Sequence, residues 1–274
     1  MSGNGHFLAR VSGEVKGNVT LRKQQYRISD NTEQSIKLAR NFITGKVYNC
    51  RWVLERAVRD YSLRIDTDSI KKKSKILYQS LEKIRTCKTS AQLLGLEGEA
   101  AAVYFSVFDE LILQQKEDFT FQGRNRRPPL DNVNAMLSFA YSLLTGMCGS
   151  ALESVGLDAY VGFFHTDRPG RISLALDIME ELRSIMADRF VLTMINKRII
   201  KKSHFIQKES GAVVLTDEGR KLFLSAWQER KKELITHPFL DEKIEWGMIP
   251  YVQAMLLARS IRGDLDEYPP FFLK

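Results

Sequence analysis

The amino-acid sequence predicts a mainly α-helical protein that begins with a short β-hairpin. Apolar residues recur at three- and four-residue steps along most of the 274 residues, which is the spacing of one face of a helix. Residues 5–22 instead alternate loosely between apolar and polar side chains, as a strand does. Hydrophobic residues make up 44% of the chain and charged residues 27%, so a substantial core can form in one or two domains.

The elements can be placed in chain order from these patterns. Gly13 and Gly17 supply turns within the first alternating stretch, so we expect a hairpin there. Helical spacing covers approximately 30–57, 68–87, 91–116, 131–153, 173–202, 215–235 and 247–262. The stretch FTFQGRNRRPPLDN, residues 119–132, predicts a loop because Pro128 and Pro129 cannot continue a helix. Residues 205–216 predict a second, small hairpin.

The composition argues against several classes of protein. No apolar run approaches the ~20 residues that span a bilayer, and the first ten residues lack the apolar core of a signal peptide. Cys50, Cys87 and Cys148 are far apart and form no CxxC pair, which fits a reducing cytoplasm rather than a disulfide framework or a thiolate zinc site. The sequence has no nucleophile elbow, P-loop or dinucleotide-binding motif. We therefore expect a cytoplasmic protein that makes no membrane contact.

Positive charge is concentrated in the first third of the chain. Residues 1–90 hold 19 Lys and Arg against 8 Asp and Glu, a net +11, whereas the remainder holds 22 against 25, a net −3. Such asymmetry indicates a polyanionic partner, such as a nucleic acid, gripped by one part of the protein. The basic residues available for this contact, or for plain surface charge, are Arg22, Lys23, Arg27, Arg40, Arg51, Arg56 and Arg59.

Glu97 is the first candidate for a functional carboxylate. On a helix it lies beside the apolar stripe that contains Leu96 and Ala100, whereas Glu99 points toward water. A charge left unpaired against apolar surface is costly. The spacing by itself favours a glutamate at a helix edge, stabilised by the helix dipole, and leaves a functional role open.

A second group of candidates surrounds His165. In the helical stretch after Pro169 and Gly170, Asp177 and Glu180 lie three residues apart and so share one face. This polar face fits a solvated helix edge. With the imidazole and one distant glutamate, the same acids would also suit Mg²⁺ or Mn²⁺ holding a phosphate, and the imidazole favours Mn²⁺ slightly. Spacing alone leaves both interpretations open.

Three longer blocks of sequence together indicate one protein family. They are GLEGEAAAVYF, GRNRRPPLDNVNAMLSFAYSLL and GLDAYVGFFHTDRPGRISLALDIMEELR. In this order they resemble the CRISPR-associated integrase, the larger of the two proteins of the spacer-acquisition machinery, and the resemblance runs through essentially the whole chain. The tail PYVQAMLLARSIRGDLDEYPPF is similar to that of the subtype I-C branch.

The resemblance implies a helical catalytic domain that acts as a metal-dependent DNA integrase and endonuclease, joining prespacer 3′-hydroxyls to repeat DNA by transesterification. It places a Mg²⁺ or Mn²⁺ ion on Glu97, His165 and Glu180, with Asp177 as a further ligand or a support. Tyr104 and Asn134 lie in the matching blocks without an assigned role. The arginines expected to contact the DNA backbone are Arg126, Arg127, Arg168 and, from the basic first third, Arg59.

The resemblance also implies a division of the chain and a set of partners. Residues 1–24 correspond to a remnant hairpin and linker of an N-terminal β domain that this sequence mostly lacks, and residues 25–274 to the helical metal- and DNA-binding catalytic domain. The implied partners are double-stranded prespacer and repeat DNA, a second copy of the chain in a homodimer, and a small ferredoxin-like companion adaptation protein, all in a prokaryotic cytoplasm. Two alternatives remain: a non-catalytic helical DNA-binding scaffold, and a metal-dependent nuclease acting on branched DNA.

Overall fold

Helices form most of the structure, a computed structural model that describes residues 19–273. They are α1 (Val19–Asp30), α2 (Thr32–Tyr61), α3 (Thr67–Thr86), α4 (Ser90–Phe105), α5 (Asn132–Val155), α6 (Ser173–Leu182), α7 (Arg189–Asn196), α8 (Asp217–Lys231) and α9 (Ile249–Arg262). Short 3₁₀ turns cover Phe108–Leu111, Lys202–His204 and Trp246–Met248, and a π-helical turn covers Arg183–Asp188. The strands are β1 (Phe205–Gln207), β2 (Val213–Leu215), β3 (Leu234–Thr236) and β4 (Lys243–Glu245). The predicted mainly α-helical fold is confirmed.

Side-chain caps and glycines decide where several helices begin and end. The residues that precede α2, α3, α4 and α5 each accept a hydrogen bond from a backbone N–H in the first turn; they are Asn31, Asp66, Thr89 and Asp131. Such bonds satisfy N–H groups that have no partner within the helix. Helices α5 and α9 end at Gly156 and Gly263, whose φ angles of 85° and 84° suit glycine.

Helix α2 runs through the middle of the molecule. It packs against α3, α4, α6 and the π-helical turn, and α1 contacts it as well. Its buried face follows the helical period through Phe42, Ile43, Val47 and Leu54. Lys46 lies within this apolar stripe and is only 5% exposed. A lysine is almost never buried without a partner, so its position requires an explanation in the site.

Helix α5 packs on α6, α7 and α9. It is 24 residues long, with a mean hydropathy of 1.4 in its most apolar window, so by length and composition alone it could cross a membrane. No segment of this kind was predicted from the sequence. In the structure 44% of that window is buried against the other helices. We therefore interpret α5 as a core helix, because such helices often have this composition.

Two small antiparallel hairpins lie among the later helices. Strands β1 and β2 pair with Phe205 opposite Leu215, which confirms the hairpin predicted at 205–216. Strands β3 and β4 pair with Leu234 opposite Glu245. This second pair was not predicted, and residues 234 and 235 were wrongly included in the helical stretch 215–235.

Several other boundaries also differ from the prediction. Helix α4 ends at Phe105 rather than near residue 116, and a 3₁₀ turn follows. The stretch 173–202 is divided by the π-helical turn and ends its helical part at Asn196. Ser173 is the first residue of α6, and its Oγ donates to the carbonyl oxygen of Thr166 at 3.2 Å.

Most of the predicted first hairpin, residues 5–18, lies outside the described residues. Its last part was placed wrongly, because residues 19–22 form the first turn of α1. Leu21, Gln25 and Ile28 are buried at steps of three and four, which is a helical period. The division of the chain at residue 24 stays a prediction.

Candidate metal centre

Helix α6 presents a row of charged side chains on one buried face. Asp177 and Glu180 lie three residues apart and are 0% and 3% exposed. Arg183 follows one further turn along the helix, and its Nη2 lies 2.6 Å from Oε1 of Glu180. Residues spaced three apart share a helix face, so two carboxylates and one guanidinium are held in line.

Asp177 fixes the loop that carries His165. Its Oδ2 accepts hydrogen bonds from the backbone N–H groups of Phe163 and Phe164 at 2.6 and 3.0 Å, and its Oδ1 accepts from that of His165 at 2.9 Å. Oδ1 also lies 2.7 Å from Nδ1 of the His165 ring. A carboxylate beside Nδ1 favours a proton on that nitrogen, so Nε2 is the ring nitrogen that a metal could bind. Asp177 is thus committed to four contacts in this loop and holds His165 in place.

Gly162 makes the close approach of this loop possible. A Cβ at this position would lie 2.8 Å from Cβ of Ser173, 2.9 Å from the carbonyl oxygen of His165 and 3.0 Å from Oδ2 of Asp177. No side chain larger than hydrogen fits these distances without a shift of the backbone. The glycine therefore allows the loop to reach Asp177.

Glu97, on α4, lies close to Glu180 because both contact Lys46. Its Oε1 forms an ion pair with Nζ of Lys46, and this Nζ also lies 2.7 Å from Oε2 of Glu180. Nε2 of His165 lies 3.8 Å from Oε1 of Glu180. Glu97, His165 and Glu180 come from separate parts of the chain, yet they converge, and Lys46 links the two glutamates.

A second glycine brings α2 close enough for this contact. A Cβ on Gly45 would lie 2.8 Å from Cβ of Glu181 and 3.1 Å from Cβ of Pro270. Asn49, one turn later, donates to the carbonyl oxygens of Glu181 and Phe271 at 2.8 and 2.6 Å. Lys46 lies between these two points of close contact, so its side chain is directed at α6.

The charges of the site stabilise one another. Burial alone would raise the pKa of Glu180, but Arg183 and Lys46 hold that pKa well below its usual range. Burial would likewise lower the pKa of Lys46, but Glu180 and Glu97 raise it above its usual value. At neutral pH Glu180 is therefore an ionised carboxylate held between two cations, Lys46 and Arg183.

The donor set suits a divalent cation. Two carboxylates and one imidazole nitrogen are ligands that Mn²⁺ and Mg²⁺ accept, and Nε2 of His165 lies 3.8 Å from Oε1 of Glu180. Among residues 19–273, however, no three His, Cys, Asp or Glu side chains form a ready ligand cluster. Lys46 accounts for this, because its ammonium is paired with both glutamates. The chemistry of these residues fits a divalent cation, but in the metal-free protein Lys46 sets the distance between the two glutamates.

A cavity of about 460 Å³ opens beside Glu97 and Lys46. Arg124 and Arg183 line it, and each guanidinium carbon lies 5.1 Å from the ring centre of Tyr141. The other wall residues include Cys50, Ala101, Tyr104, Phe105, Gly123, Ser184 and Asp188. The cations on its walls give the cavity the chemistry to receive a negatively charged group.

Asp188 is a further carboxylate that lines this cavity. It is 1% exposed, and its Oδ1 accepts a hydrogen bond from the hydroxyl of Tyr141 at 2.6 Å. Burial raises its pKa to about 6, although Tyr141 and Arg183 oppose the shift. Asp188 belongs to the π-helical turn, and turns of this kind often occur at functional sites.

The loop with Arg126 and Arg127 is held by Asn134. The side chain of Asn134 accepts from Nη1 of Arg124 at 2.6 Å and donates to the carbonyl oxygen of Gly123 at 2.8 Å. Asn134, which had no predicted role, is thus the residue that orders this loop. Arg126 and Arg127 are exposed beyond it.

The four arginines predicted to contact DNA lie on the surface. Arg126, Arg127 and Arg168 are exposed, and among the described residues none of them has a carboxylate within ion-pair distance. Arg59 differs, because its Nε lies 2.9 Å from Oδ1 of Asp60. The first three are therefore free to contact a phosphate, whereas Arg59 is already paired.

Glu181, the neighbour of Glu180, faces away from this site and fastens the C-terminal tail. It accepts hydrogen bonds from Nε2 of Gln253 at 2.9 Å, from the backbone N–H of Phe271 at 3.0 Å and from the hydroxyl of Tyr268. Burial raises the pKa of Glu181 to about 7, and the hydrogen bonds limit the shift. Adjacent residues of α6 thus serve the site on one face and the tail on the other.

Sequence analysis missed Lys46, Arg183 and Asp188. Lys46 left a signal, because a lysine interrupts the buried face of α2 between Ile43 and Val47. Arg183 lies three residues after Glu180 and could have been placed on the same face. Asp188 also left a signal, because on a regular helix it lies about three turns after Asp177 on nearly the same face, and this polar face was interpreted as a solvated helix edge.

Comparisons with known proteins agree on one family. A sequence profile described as "CRISPR associated protein Cas1" matches residues 1–229. The chain is 49% identical over 268 residues to the CRISPR-associated endonuclease Cas1 1 of Chlorobaculum tepidum, covering 98% of this chain and 78% of that protein. It is 52% identical over 274 residues to the CRISPR-associated endonuclease Cas1 2 of Rhodospirillum rubrum, covering 98% and 79%.

Comparison with a solved structure shows that the fold is also shared. A casposase bound to its integration product matches with a TM-score of 0.82 at 25% sequence identity, over 99% of this chain and 77% of that one. The sequence matches extend through α4, the loop of His165 and α6, and so include every residue of the candidate centre. The chain therefore belongs to the Cas1 family of CRISPR-associated endonucleases.

Proposed function

We propose that this chain is a divalent-metal-dependent DNA integrase and endonuclease of CRISPR spacer acquisition, which joins prespacer 3′-hydroxyls to repeat DNA by transesterification. The observation that carries the proposal is the convergence of Glu97, His165 and Glu180 beside a cavity lined by cations. The names of the relatives support a nuclease. The casposase, which shares this fold and was solved with its integration product, supports strand joining.

In this proposal Glu97, His165 and Glu180 hold Mg²⁺ or Mn²⁺. The chemistry that a divalent cation supplies in such a site is polarisation of a phosphate oxygen and a lower pKa for the attacking 3′-hydroxyl. Asp177 does not bind the cation in this scheme, because its oxygens are occupied by the His165 loop. Its role is to keep Nε2 of His165 free and directed at Glu180.

The protein's own cations complete the site. Arg183 lies 2.6 Å from Glu180 and also lines the cavity, so its guanidinium can contact a phosphate bound there. Arg124 is placed next to it against the ring of Tyr141. Fixed donors of this kind stabilise the negative charge that grows on the phosphorus oxygens in the transition state. Water in place of the 3′-hydroxyl would give hydrolysis at the same site.

Double-stranded prespacer and repeat DNA are the proposed substrates. Arg126 and Arg127 extend from the loop of Arg124, and Arg168 from the loop of His165, and none of the three has an ion-pair partner among the described residues. Contacts to backbone phosphates position DNA without reading its sequence. Arg59 contributes to the positive field of α2 and must exchange Asp60 for a phosphate to make direct contact.

The finer assignments are part of the same proposal and rest on the family resemblance. We propose a subtype I-C-like member that acts in the prokaryotic cytoplasm as a homodimer with a small ferredoxin-like companion adaptation protein. The resemblance of the C-terminal tail supports the subtype, and the family membership supports the companion protein and the homodimer. Mixing the purified proteins and measuring the mass of the complex tests the homodimer and the companion.

Glu97→Gln tests the chemistry. We expect loss of Mn²⁺-dependent strand transfer into repeat DNA, because the change removes a ligand charge while keeping the shape of the side chain. Glu99→Gln is the matched control, since Glu99 lies on the same helix but is exposed, and its activity should stay unchanged. Full activity of Glu97→Gln would contradict the assignment of Glu97 to the metal site.

The same assays test the two alternative functions. If the unmodified protein binds DNA but shows no activity, the non-catalytic DNA-binding scaffold is favoured. If it cleaves only branched DNA, the metal-dependent nuclease acting on branched DNA is favoured.

A further inference from the structure

Lys46 is a charged residue that no predicted role explains. It is 5% exposed, in the middle of the apolar stripe of α2. Its Nζ is ion-paired with Glu97 and lies 2.7 Å from Oε2 of Glu180. One ammonium therefore binds two carboxylates that come from two other helices, α4 and α6.

A cation is required at this point when no metal is bound. Glu97 and Glu180 have side chains only 18% and 4% exposed, and both contact the same atom of Lys46. Two carboxylates so close together and so poorly hydrated repel each other, and a positive charge between them offsets this repulsion. Arg183 binds the far oxygen of Glu180, Oε1, and forms no ion pair with Glu97 among the described residues. Lys46 thus provides the only ion pair that joins the two glutamates within residues 19–273.

The lysine is also held firmly in place. Gly45 lets α2 approach α6 and the C-terminal tail, and Asn49 binds the backbone of both through its amide group. The root of the Lys46 side chain is therefore fixed on both sides. The length of the side chain then decides where the ammonium can lie, which is between the two glutamates.

We propose that Lys46 is the counter-ion of the metal-free centre: it holds Glu97 and Glu180 together and releases both when the divalent cation binds. This inference depends on the cation site of the proposed function and adds the residue that sets its affinity. Without metal, Lys46 and Arg183 balance the two carboxylates. A divalent cation adds two further charges, so its binding is opposed by Lys46 for as long as the ammonium stays near.

The first test is Mn²⁺ affinity, measured from the electron paramagnetic resonance signal of free Mn²⁺ during titration of the full chain. Lys46→Met removes the competing charge and keeps a side chain of similar length, so the dissociation constant should fall about tenfold or more. Lys37→Met is the matched control, because Lys37 lies on the same helix with its side chain 61% exposed, and its affinity should equal that of the unmodified protein. Unchanged or weaker binding by Lys46→Met would overturn the proposal.

The second test is thermal unfolding with and without Mn²⁺. Without metal, Lys46→Met should unfold at a lower temperature than the unmodified protein, because two buried carboxylates lose their counter-ion. Saturating Mn²⁺ should remove most of this difference. A difference that is the same with and without Mn²⁺ would mean that Lys46 only fills space, and would overturn the proposal.

Lys46→Arg keeps the test decisive if Lys46→Met does not fold. A guanidinium can bind two carboxylates through separate nitrogens and is always charged, so it should release them less readily. Mn²⁺ affinity should therefore fall about tenfold, and equal or tighter binding would contradict the proposal. Strand transfer is measured separately. If the affinities change as expected but no variant joins DNA, the proposed function fails while the inference about Lys46 stands.

Discussion

Hydrogen bonds and ion pairs fix the orientation of individual side chains in this centre. His165 is the clearest example, since one carboxylate binds both its backbone N–H and its ring. The result is an imidazole whose free nitrogen faces Glu180. Such outer contacts decide ligand orientation as much as the ligands themselves do.

Asp177→Asn should weaken the centre without destroying it. An amide in place of the carboxylate removes the negative charge beside Nδ1, so the ring loses its preferred tautomer. We expect Mn²⁺ affinity to fall about 10- to 100-fold, which is the usual effect of changing such a residue. The titration used for Lys46 measures this. Asp167→Asn serves as control, because Asp167 lies in the same exposed loop and accepts only the N–H of Gly162 at 3.1 Å. Equal effects of the two changes would contradict the role of Asp177.

Gly162→Ala should destabilise the protein through the same loop. Its new Cβ would lie 2.8 to 3.0 Å from three groups, two of which belong to Ser173 and Asp177. Overpacking of this kind costs about 1–3 kcal/mol in the free energy of unfolding. Gly98→Ala is the matched control, since α4 offers its Cβ open space and alanine favours a helix. Urea unfolding should show opposite signs for the two changes, and equal stability of Gly162→Ala would show that the loop can shift freely.

How much of the centre could be predicted depends on the residue. Glu97, His165, Asp177 and Glu180 were identified because family motifs carry them, while spacing alone left each open to a simpler interpretation. The approach of Lys46 could not be predicted, because it depends on how closely α2 packs against α6 at Gly45. That distance is a property of the folded core and has no local sequence signal.

The helices themselves were easier to predict than their ends. Helices α2, α3, α5 and α9 begin and end within a few residues of the expected positions, because a strong apolar period and side-chain caps or glycines mark them. The π-helical turn was not predicted, since its residues continue the apolar pattern of α6 while the backbone changes its period. The pair β3 and β4 was missed because three-residue strands are too short to show an alternation.

Helix α6 links the centre to the C-terminal tail, and Glu181 makes that link depend on pH. Its pKa is raised by burial from an ordinary 4.5 to about 7 in the folded protein. Between these values the folded state keeps a proton that the unfolded chain releases. Stability should therefore fall as pH rises from about 4.5 to about 7, and should change little above that.

Glu181→Gln isolates this effect. A glutamine cannot ionise, so the variant should gain stability relative to the unmodified protein as pH rises through that window, by up to about 3 kcal/mol. His237 and Tyr268, which belong to the same hydrogen-bond network, are present in both proteins, so the difference between the two isolates Glu181. Urea unfolding at pH 5 and pH 8 measures it. A constant difference at the two pH values would show that Glu181 does not titrate in the folded state.

In the molecule as a whole, the excess of positive charge and most residues of the candidate centre come from different parts of the chain. The basic excess belongs to residues 1–90, which supply α2 and α3, whereas His165, Glu180 and Arg183 come from the more acidic remainder. Packing of α2 on α6 joins the two parts at Lys46 and Glu180. Net charge therefore predicts a polyanion partner but not the surface that meets it.

Comparing two sets of three basic residues can distinguish general electrostatic attraction of DNA from direct contacts to its phosphates. Arg126, Arg127 and Arg168 are exposed, have no ion-pair partner among the described residues, and lie in loops that also supply Arg124 and His165. The second set, on α3, is equally exposed and consists of Lys71, Lys72 and Lys75. If the loops hold the DNA backbone next to the centre, only the first set loses direct phosphate contacts when replaced by alanine.

We expect the salt dependence of DNA binding to separate the two sets. Replacing the three arginines should reduce the slope of log affinity against log salt by up to about 3, because each phosphate contact contributes roughly 0.9. Replacing the three lysines should lower affinity slightly and leave the slope nearly unchanged, since distant charges attract DNA without displacing ions at a contact. Fluorescence anisotropy with a labelled duplex at several salt concentrations measures both slopes. If the slope decreases as much in the lysine variant as in the arginine variant, the DNA contacts α3. The proposal that the DNA backbone contacts Arg126, Arg127 and Arg168 would then be wrong.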